Sequence, residues 1–244
     1  MNKRKFNVRI VADSMRYTFG RSVIIGLGGS IVYPENIDAA FVKAFKKFVL
    51  GFLRKKRFVI VLGGGRLSRL FQEAAQRVAR VVDDDKDWLG IHATRLNAQL
   101  LRTVFQKVAD PTVIDKGRKL RRLRYPVTIA SGWRPGWSTD YVAVALAAEF
   151  GIREIIIAGK PSHVYDKDNS RYENARPIKE LSWIEYQKLI PKKWTPGLHA
   201  PVDPVAARLA QKNGVTAIII NGKDLKNFGN LLNGREFEGS IIRN

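Results

Sequence analysis

The chain has 244 residues, 45% of them hydrophobic, and carries 43 Lys+Arg against 22 Asp+Glu for a formal net charge of +21. That length can bury a full core as one domain or two closely packed lobes, and the composition is far from that of a disordered chain. With no cysteine, a disulfide framework and a thiolate metal site are both excluded.

No apolar run is long enough to span a bilayer. The first residues lack the continuous apolar core and small-residue cleavage site of a secretory leader, so a cytoplasmic protein without a membrane partner is expected. The positive charge attracts polyanions such as nucleic acid, nucleotides or lipid headgroups, but it speaks to association and not to fold. It admits a nucleic-acid partner without predicting one.

Residues 1–21 read as a basic N-terminal extension, open to being an added strand, a subunit contact or a basic arm. From Ser22 to Leu27 (SVIIGL) runs a strand rich in β-branched residues, ending at Gly28-Gly29-Ser30. A helix is predicted over 37–56. A second strand follows at Phe58 to Leu62 (FVIVL), then Gly63-Gly64-Gly65 and a helix over 67–81. Asp83-Asp84-Asp85 reads as a solvated acidic loop before a helix over 93–105.

The basic stretch Lys116 to Arg124 is either a connector or an electrostatic patch, and it lacks the interleaved aromatics of a base-stacking platform. Pro126 to Ala130 is strand-like and leads to Ser131-Gly132, and the next helix, Thr139 to Phe150, stops at Gly151. Strands are predicted at 154–158 and 215–220. Between them Asp203 caps, Pro204 opens and Gly214 closes a helix. Continuous apolar strands alternating with helices predict an α/β fold: a three-layer αβα sandwich around a mainly parallel sheet. The loop-rich, polar stretch from Gly159 to Pro201 marks the start of a second lobe, giving lobes at 22–158 and 159–244.

In such a sheet ligands bind beyond the carboxyl ends of the strands, where glycines let backbone N–H groups approach an anion. The clusters at Gly28, Gly29, Ser30 and at Gly63, Gly64, Gly65 each precede a helix. Neither is a Walker loop or a GxGxxG fingerprint. Arg66 and Arg69 open the helix after Gly65, where a guanidinium can grip phosphate or simply face solvent. Asp140 can complement its helix dipole or aim a carboxylate at a reacting centre. His92 and His199 have no partners at metal-ligand spacing, so no structural metal is expected. His163 is a loop histidine beside Tyr165.

Seven segments in order, GLGGS, VLGGGRLSR, DWLGIHATRLNA, GWRPGWSTD, VYDKD, DPVAARLAQKNG and EGSII, together resemble the UMP kinases of the amino-acid-kinase family, with an archaeal-type flavour. The resemblance covers nearly the whole chain from Ser22 to Ile242. It implies transfer of a phosphoryl group from ATP, with Mg²⁺, to UMP.

It also implies roles. Gly28, Gly29, Ser30 and Gly63 line the phosphate path, while Gly64, Gly65, Arg69, Asp87 and Thr139 serve UMP. Asp140 lies at the reacting centre, with Lys160 and Arg66 supplying charge to the transferred group. Tyr165 and Asp168 belong to the ATP-binding lobe, 159–244, and the acceptor lobe is 22–158. A hexamer is the assembly implied.

The chain departs from the family pattern at several positions. Gly26 stands where bacterial members carry lysine and archaeal-type members lack it, Ser162-His163 where Asp-Gly is usual, and Trp133 where a base-associated threonine is found. Arg134 and Trp137 are atypical too. These changes bear on base recognition more than on phosphoryl chemistry. They motivate an alternative, a catalytically weakened nucleotide- or nucleic-acid-binding protein on the same fold.

Overall fold

The computed structural model describes residues 15–169, 171–193 and 200–244. Strand β1 (Ser22–Leu27) leads through the single turn α1 (Gly29–Val32) to α2 (Ala39–Phe52). Strand β2 (Arg57–Leu62) precedes α3 (Gly65–Val78) and α4 (Asp83–Val104), and β3 (Val127–Ala130) precedes α5 (Thr139–Phe150). After β4 (Glu154–Gly159) comes the small hairpin β5 (Val164–Tyr165) and β6 (Pro177–Ile178), then β7 (Glu180–Ser182) and α6 (Trp183–Leu189). The described chain closes with α7 (Pro204–Asn213), β8 (Thr216–Asn221), α8 (Leu225–Leu232) and β9 (Ser240–Arg243).

The main sheet has seven strands in the order β3-β2-β1-β4-β8-β9-β7. β1, β2, β3, β4 and β8 run parallel; β9 is antiparallel to β8, and β7 is parallel to β9. Side chains alternate across this sheet with period two. Val23, Ile25, Phe58, Ile60, Ile156 and Ile218 join one core with α2, α4 and α8. Ile24, Val59, Val61, Ile155, Ala217 and Ile219 join the other with α5, α6 and α7. The expected three-layer αβα sandwich is therefore the observed architecture, and its parallel strands are apolar throughout because both faces are covered.

The caps predicted for α7 are in place, and Ser138 supplies one for α5 that was not foreseen. Ser138 accepts from the Tyr141 N–H at 3.0 Å to start α5. Asp203 accepts from Val205 and Ala206 at 2.7 and 3.0 Å to start α7, which Gly214 ends in the left-handed region at φ 63°. One expectation is overturned: the three aspartates 83–85 are the first turn of α4, ten residues upstream of the predicted start. Carboxylates there complement the unpaired N–H groups and the positive end of the helix dipole, and Asp83 also pairs with Lys86 at 3.0 Å.

Residues 1–14 of the N-terminal extension lie outside the described residues. Residues 15–21 pack on the body without joining the sheet. Phe19 is buried in the first core, Met15 O accepts from Phe237 N at 3.2 Å, and Lys56 Nζ donates to the carbonyls of Phe19 and Gly20 at 2.7 and 2.9 Å. Among the described residues no helix is long and apolar enough to cross a membrane.

Candidate active site

The carboxyl ends of β1, β2, β3 and β4 converge on one rim, and the two glycine clusters meet there. Gly28 N donates to Ala158 O at 2.9 Å and Gly63 N to Leu27 O at 3.0 Å, which fixes each turn to its neighbouring strand. A Cβ on Gly29 would sit 2.1 Å from Gly65 N and 2.5 Å from Gly63 C, so the two loops touch backbone to backbone. Gly65 lies at φ +65°, a conformation open to glycine at little cost. The buried Asn97 of α4 donates to Gly63 O and Gly64 O at 2.9 and 3.1 Å, which draws those carbonyls toward α4. The amides of Gly29, Ser30, Gly64 and Gly65 make no hydrogen bond among the described residues. Free N–H groups at two adjoining helix starts form an anion cradle.

Beside this cradle the N-termini of α5 and α7 are tied together. Ser138 caps α5 and donates its own hydroxyl to Asp203 Oδ2, while Asp203 Oδ1 caps α7. Tyr186 holds the approach to that cap, donating to Val202 O and accepting from Val202 N, both at 2.7 Å.

Asp140 occupies the first turn of α5, and its Oδ1 lies 3.8 Å from the place a Cβ on Gly26 would take. Loss of water around the group holds its carboxyl well above the usual carboxylate range. The Asp203 carboxylate adds to the rise and the Asp203 backbone N–H opposes it. A carboxyl so placed is poised to bind a cation or to orient a positively charged group.

On the side of β2 and β3, Asp87 Oδ2 accepts from Gly136 N at 2.8 Å, linking α4 to the GWRPGW loop. Burial raises the Asp87 carboxyl, with Asp84 and Asp83 adding to the shift and the Gly136 bond opposing it. Arg66 follows the second glycine cluster, but its guanidinium is engaged by Glu73 at 2.8 Å and Glu35 at 3.6 Å. Arg69, one turn on, is exposed and has no ion pair among the described residues. Thr139 is the first residue of α5, beside Asp140.

Trp133 does not stand in the open. It is 8% exposed, packs in the second core, and lies within contact of Gly117, where a Cβ would meet its ring at 3.3 Å. What remains at the rim is a stack, with the Arg134 guanidinium 3.7 Å over Trp137 and Trp137 4.3 Å from Tyr141.

On the side of β4 and β8, Lys160 is exposed just past Gly159 and has no ion pair among the described residues. The β5–β6 hairpin carries Tyr165, whose hydroxyl is 3.4 Å from Ser162 Oγ, itself 2.9 Å from His163 Nδ1. Burial lowers the pKa of His163. Asp168 pairs with Arg171 at 3.3 Å.

Ser240 fastens this hairpin to the main sheet by accepting from Val164 N at 2.8 Å and donating to Ile178 O at 2.5 Å. His92 lies against the Trp88 ring, and His199 is outside the described residues. No group of three or more His, Cys, Asp or Glu that could hold a metal ion occurs among the described residues.

Reading the sequence alone overlooked the roles of Asn97, Ser138, Asp203 and Ser240. All four lay inside the seven segments, but only Asp203 carried a local signal that was read, a helix cap.

A mainly parallel sheet covered on both faces, with glycine turns and helix starts gathered at the carboxyl ends of its strands, defines an α/β protein. The amino acid kinase family model matches residues 21–221, and the chain belongs to that family. A uridylate kinase of Hyperthermus butylicus is 31% identical over 227 residues, covering 90% of this chain and 97% of the relative. One of Thermococcus kodakarensis is 26% identical, covering 90% and 98%. The crystal structure of uridylate kinase from Archaeoglobus fulgidus superposes with a TM-score of 0.75 at 25% identity, covering 90% of this chain and 99% of that one.

Proposed function

We propose that this protein transfers the γ-phosphoryl group of ATP to the phosphate of UMP, giving ADP and UDP. The observation that carries the reading is the back-to-back pair of glycine loops with free amides, the first of them continuing the strand whose Gly26 lies beside Asp140. Similarity to uridylate kinases along nearly the whole chain supports UMP as the acceptor.

Phosphoryl transfer demands alignment and charge neutralisation more than covalent participation by the protein. Amides of Gly29, Ser30, Gly64 and Gly65 serve the transferred group, lying between an acceptor held over β2–β3 and ATP held over β4 and the β5–β6 hairpin. That division corresponds to an acceptor lobe at 22–158 and an ATP lobe at 159–244, which share one sheet through the β4–β8 pairing. Arg69 and Asp87 hold the acceptor phosphate and ribose, with Thr139 at the reacting end. Lys160 brings the mobile charge to the transferred group. Arg66, already between two carboxylates, shapes the cradle's electrostatics and reaches the phosphoryl group only by exchanging one of them. Tyr165 and Asp168 flank ATP.

Mg²⁺ keeps several waters and phosphate oxygens as ligands and needs only one or two carboxylates from a protein. The lack of a multi-ligand cage among the described residues fits that habit, and Asp140 is the carboxylate that would face the ion. Self-association is supported by α3, which buries none of its residues and exposes Leu70, Phe71 and Val78. We propose a hexamer in a cytoplasmic setting.

The test is coupled ADP release with ATP·Mg²⁺ and a panel of UMP, CMP, dUMP, AMP, GMP, glutamate and carbamate. Turnover with UMP is expected. Turnover only with another acceptor would move the specificity to that compound. A folded protein that binds ATP and turns over none of them would establish the weakened binding protein instead.

A further inference from the structure

The parallel register places a second feature at the opposite end of the sheet. Ser22 is level with Arg57 of β2 and, two residues below the Ile24–Ile155 pair, with Arg153. Phe58 pairs with Val127, so Arg124 and Tyr125 lie just beyond the start of β3. The amino ends of four adjacent strands thus present Arg124, Arg57, Arg21 and Arg153 along a row about 15 Å wide, from three interstrand steps of roughly 4.8 Å.

Neighbouring segments add to the row. Arg54 and Lys55 leave the end of α2 exposed, and Arg121 and Arg122 are exposed in the loop that precedes β3. The Arg57 guanidinium donates to Leu123 O and so docks that loop onto the sheet edge. The acids nearby are few. Glu154 is half-buried beside Lys56 and Tyr17, Glu149 accepts from Arg118 N, and Asp110 is buried. Apart from Arg57 and Lys56, whose side chains are held by backbone carbonyls, the side chains of the cations named on this edge make no ion pair or hydrogen bond among the described residues.

We propose that this edge is a docking face for single-stranded nucleic acid, separate from the kinase rim. Three observations favour nucleic acid over a lipid surface. The cations are nearly all arginine, which matches phosphate bidentately and stacks on bases. Tyr125, 39% exposed amid them, offers a π-face to a base. The edge consists of strand starts and loops and lacks the amphipathic helix that would insert into an interface. Much of the net charge of +21 thereby has a place and a use on the side of the sheet away from the nucleotide.

The full chain is tested by fluorescence anisotropy with labelled 20-mer RNA and DNA single strands across a salt series, beside R121E/R122E/R124E. A control of equal charge change elsewhere, K43E/K47E/K188E, accompanies it, and all three proteins are assayed for UMP kinase activity to show that they are folded. Binding is expected to weaken steeply with salt. The patch variant should lose affinity at least tenfold relative to the control, and its log–log salt slope should fall by about 2, at roughly 0.7 per phosphate contact.

Tyr125→Ala should weaken oligonucleotide binding by roughly 5- to 100-fold while leaving inorganic polyphosphate binding unchanged. RNA stronger than DNA, or the reverse, names the source. Equal losses in patch and control variants, binding only to phosphatidylserine vesicles, or no strand binding at low salt would each overturn the proposal.

Discussion

The contact between the glycine loops makes a sharp prediction at two neighbouring residues. A methyl group on Gly29 would stand 2.1 Å from Gly65 N, 2.5 Å from Gly63 C and 2.6 Å from Gly63 O, all backbone atoms with no rotamer to yield. Ordinary contact begins near 3.4 Å, so the loops must part by about 1.3 Å. Overpacking of this kind costs about 1–3 kcal/mol of stability, and a displacement of about 1 Å in a positioning loop lowers turnover roughly 100-fold.

Gly28 is adjacent and also glycine, yet its φ of −55° and ψ of 131° suit any residue. A Cβ there meets Ala158 O and Gly159 Cα at 3.4 Å, at the edge of ordinary contact. Gly29→Ala should therefore lose about two orders of magnitude in kcat/KM and unfold at lower urea, whereas Gly28→Ala should remain within a few-fold of the parent. Steady-state ADP release and urea melts measure both. A Gly29→Ala protein with unchanged kinetics, or a Gly28→Ala protein damaged equally, would refute the account of the rim as two loops in backbone contact.

Asp140→Asn should lower kcat by at least 100-fold without lowering stability, because the native carboxyl is held above its unfolded value by burial and by Asp203. A raised carboxyl penalises the ionised fold. The variant should thus be the more stable protein at neutral pH, with the gain vanishing as pH falls below the unfolded value near 3.8; urea melts across pH, showing no gain at neutral pH, would remove that argument. Arg69→Ala should raise KM for UMP at least tenfold and leave KM for ATP nearly unchanged in the same assay; equal effects would mean that acceptor and donor sides are misassigned. Ser240→Ala leaves Val164 N and Ile178 O without their buried partner, a loss of about 1–3 kcal/mol. It should appear as faster amide exchange at Val164 and a higher KM for ATP.

The five long parallel strands were legible because burial on both faces leaves an unbroken apolar run. The α5 and α7 boundaries were legible where Gly151, Asp203 and Gly214 carry local capping chemistry, whereas the cap at Ser138 went unread. Strands β5, β6 and β7 have only two or three residues each and exist through pairing, so no periodicity announces them. Helix α6 did carry a readable signal, the Ser182–Glu185 capping box ahead of the buried Trp183. Arg66 was misleading for a different reason. Its sequence neighbours suggest a free cation at a phosphate loop, and the Glu35 that engages it comes from the α1–α2 connection, thirty-one residues away.

The centre of the site follows the same logic one level up. Asp140 and Asp203 each read as an ordinary first-turn or capping carboxylate, and each is one. What makes them more is that Ser138 serves as the cap of α5 and as donor to Asp203, so two helix starts from distant parts of the chain become one rigid unit.

The positive ends of both helices then face the same carboxylates, which lets two acids sit close together where water is scarce. Gly26 completes the arrangement. Bacterial members carry a lysine at this position and archaeal-type members lack it; here a Cβ would meet Ile157 Cδ1 at 3.0 Å and Asp140 Oδ1 at 3.8 Å. With no cation from that strand, the proposed function leaves charge compensation to the substrate with its metal and to exposed groups such as Lys160. On the proposed function, nucleotide and metal binding beside Asp140 would oppose the rise that burial and Asp203 impose on its carboxyl.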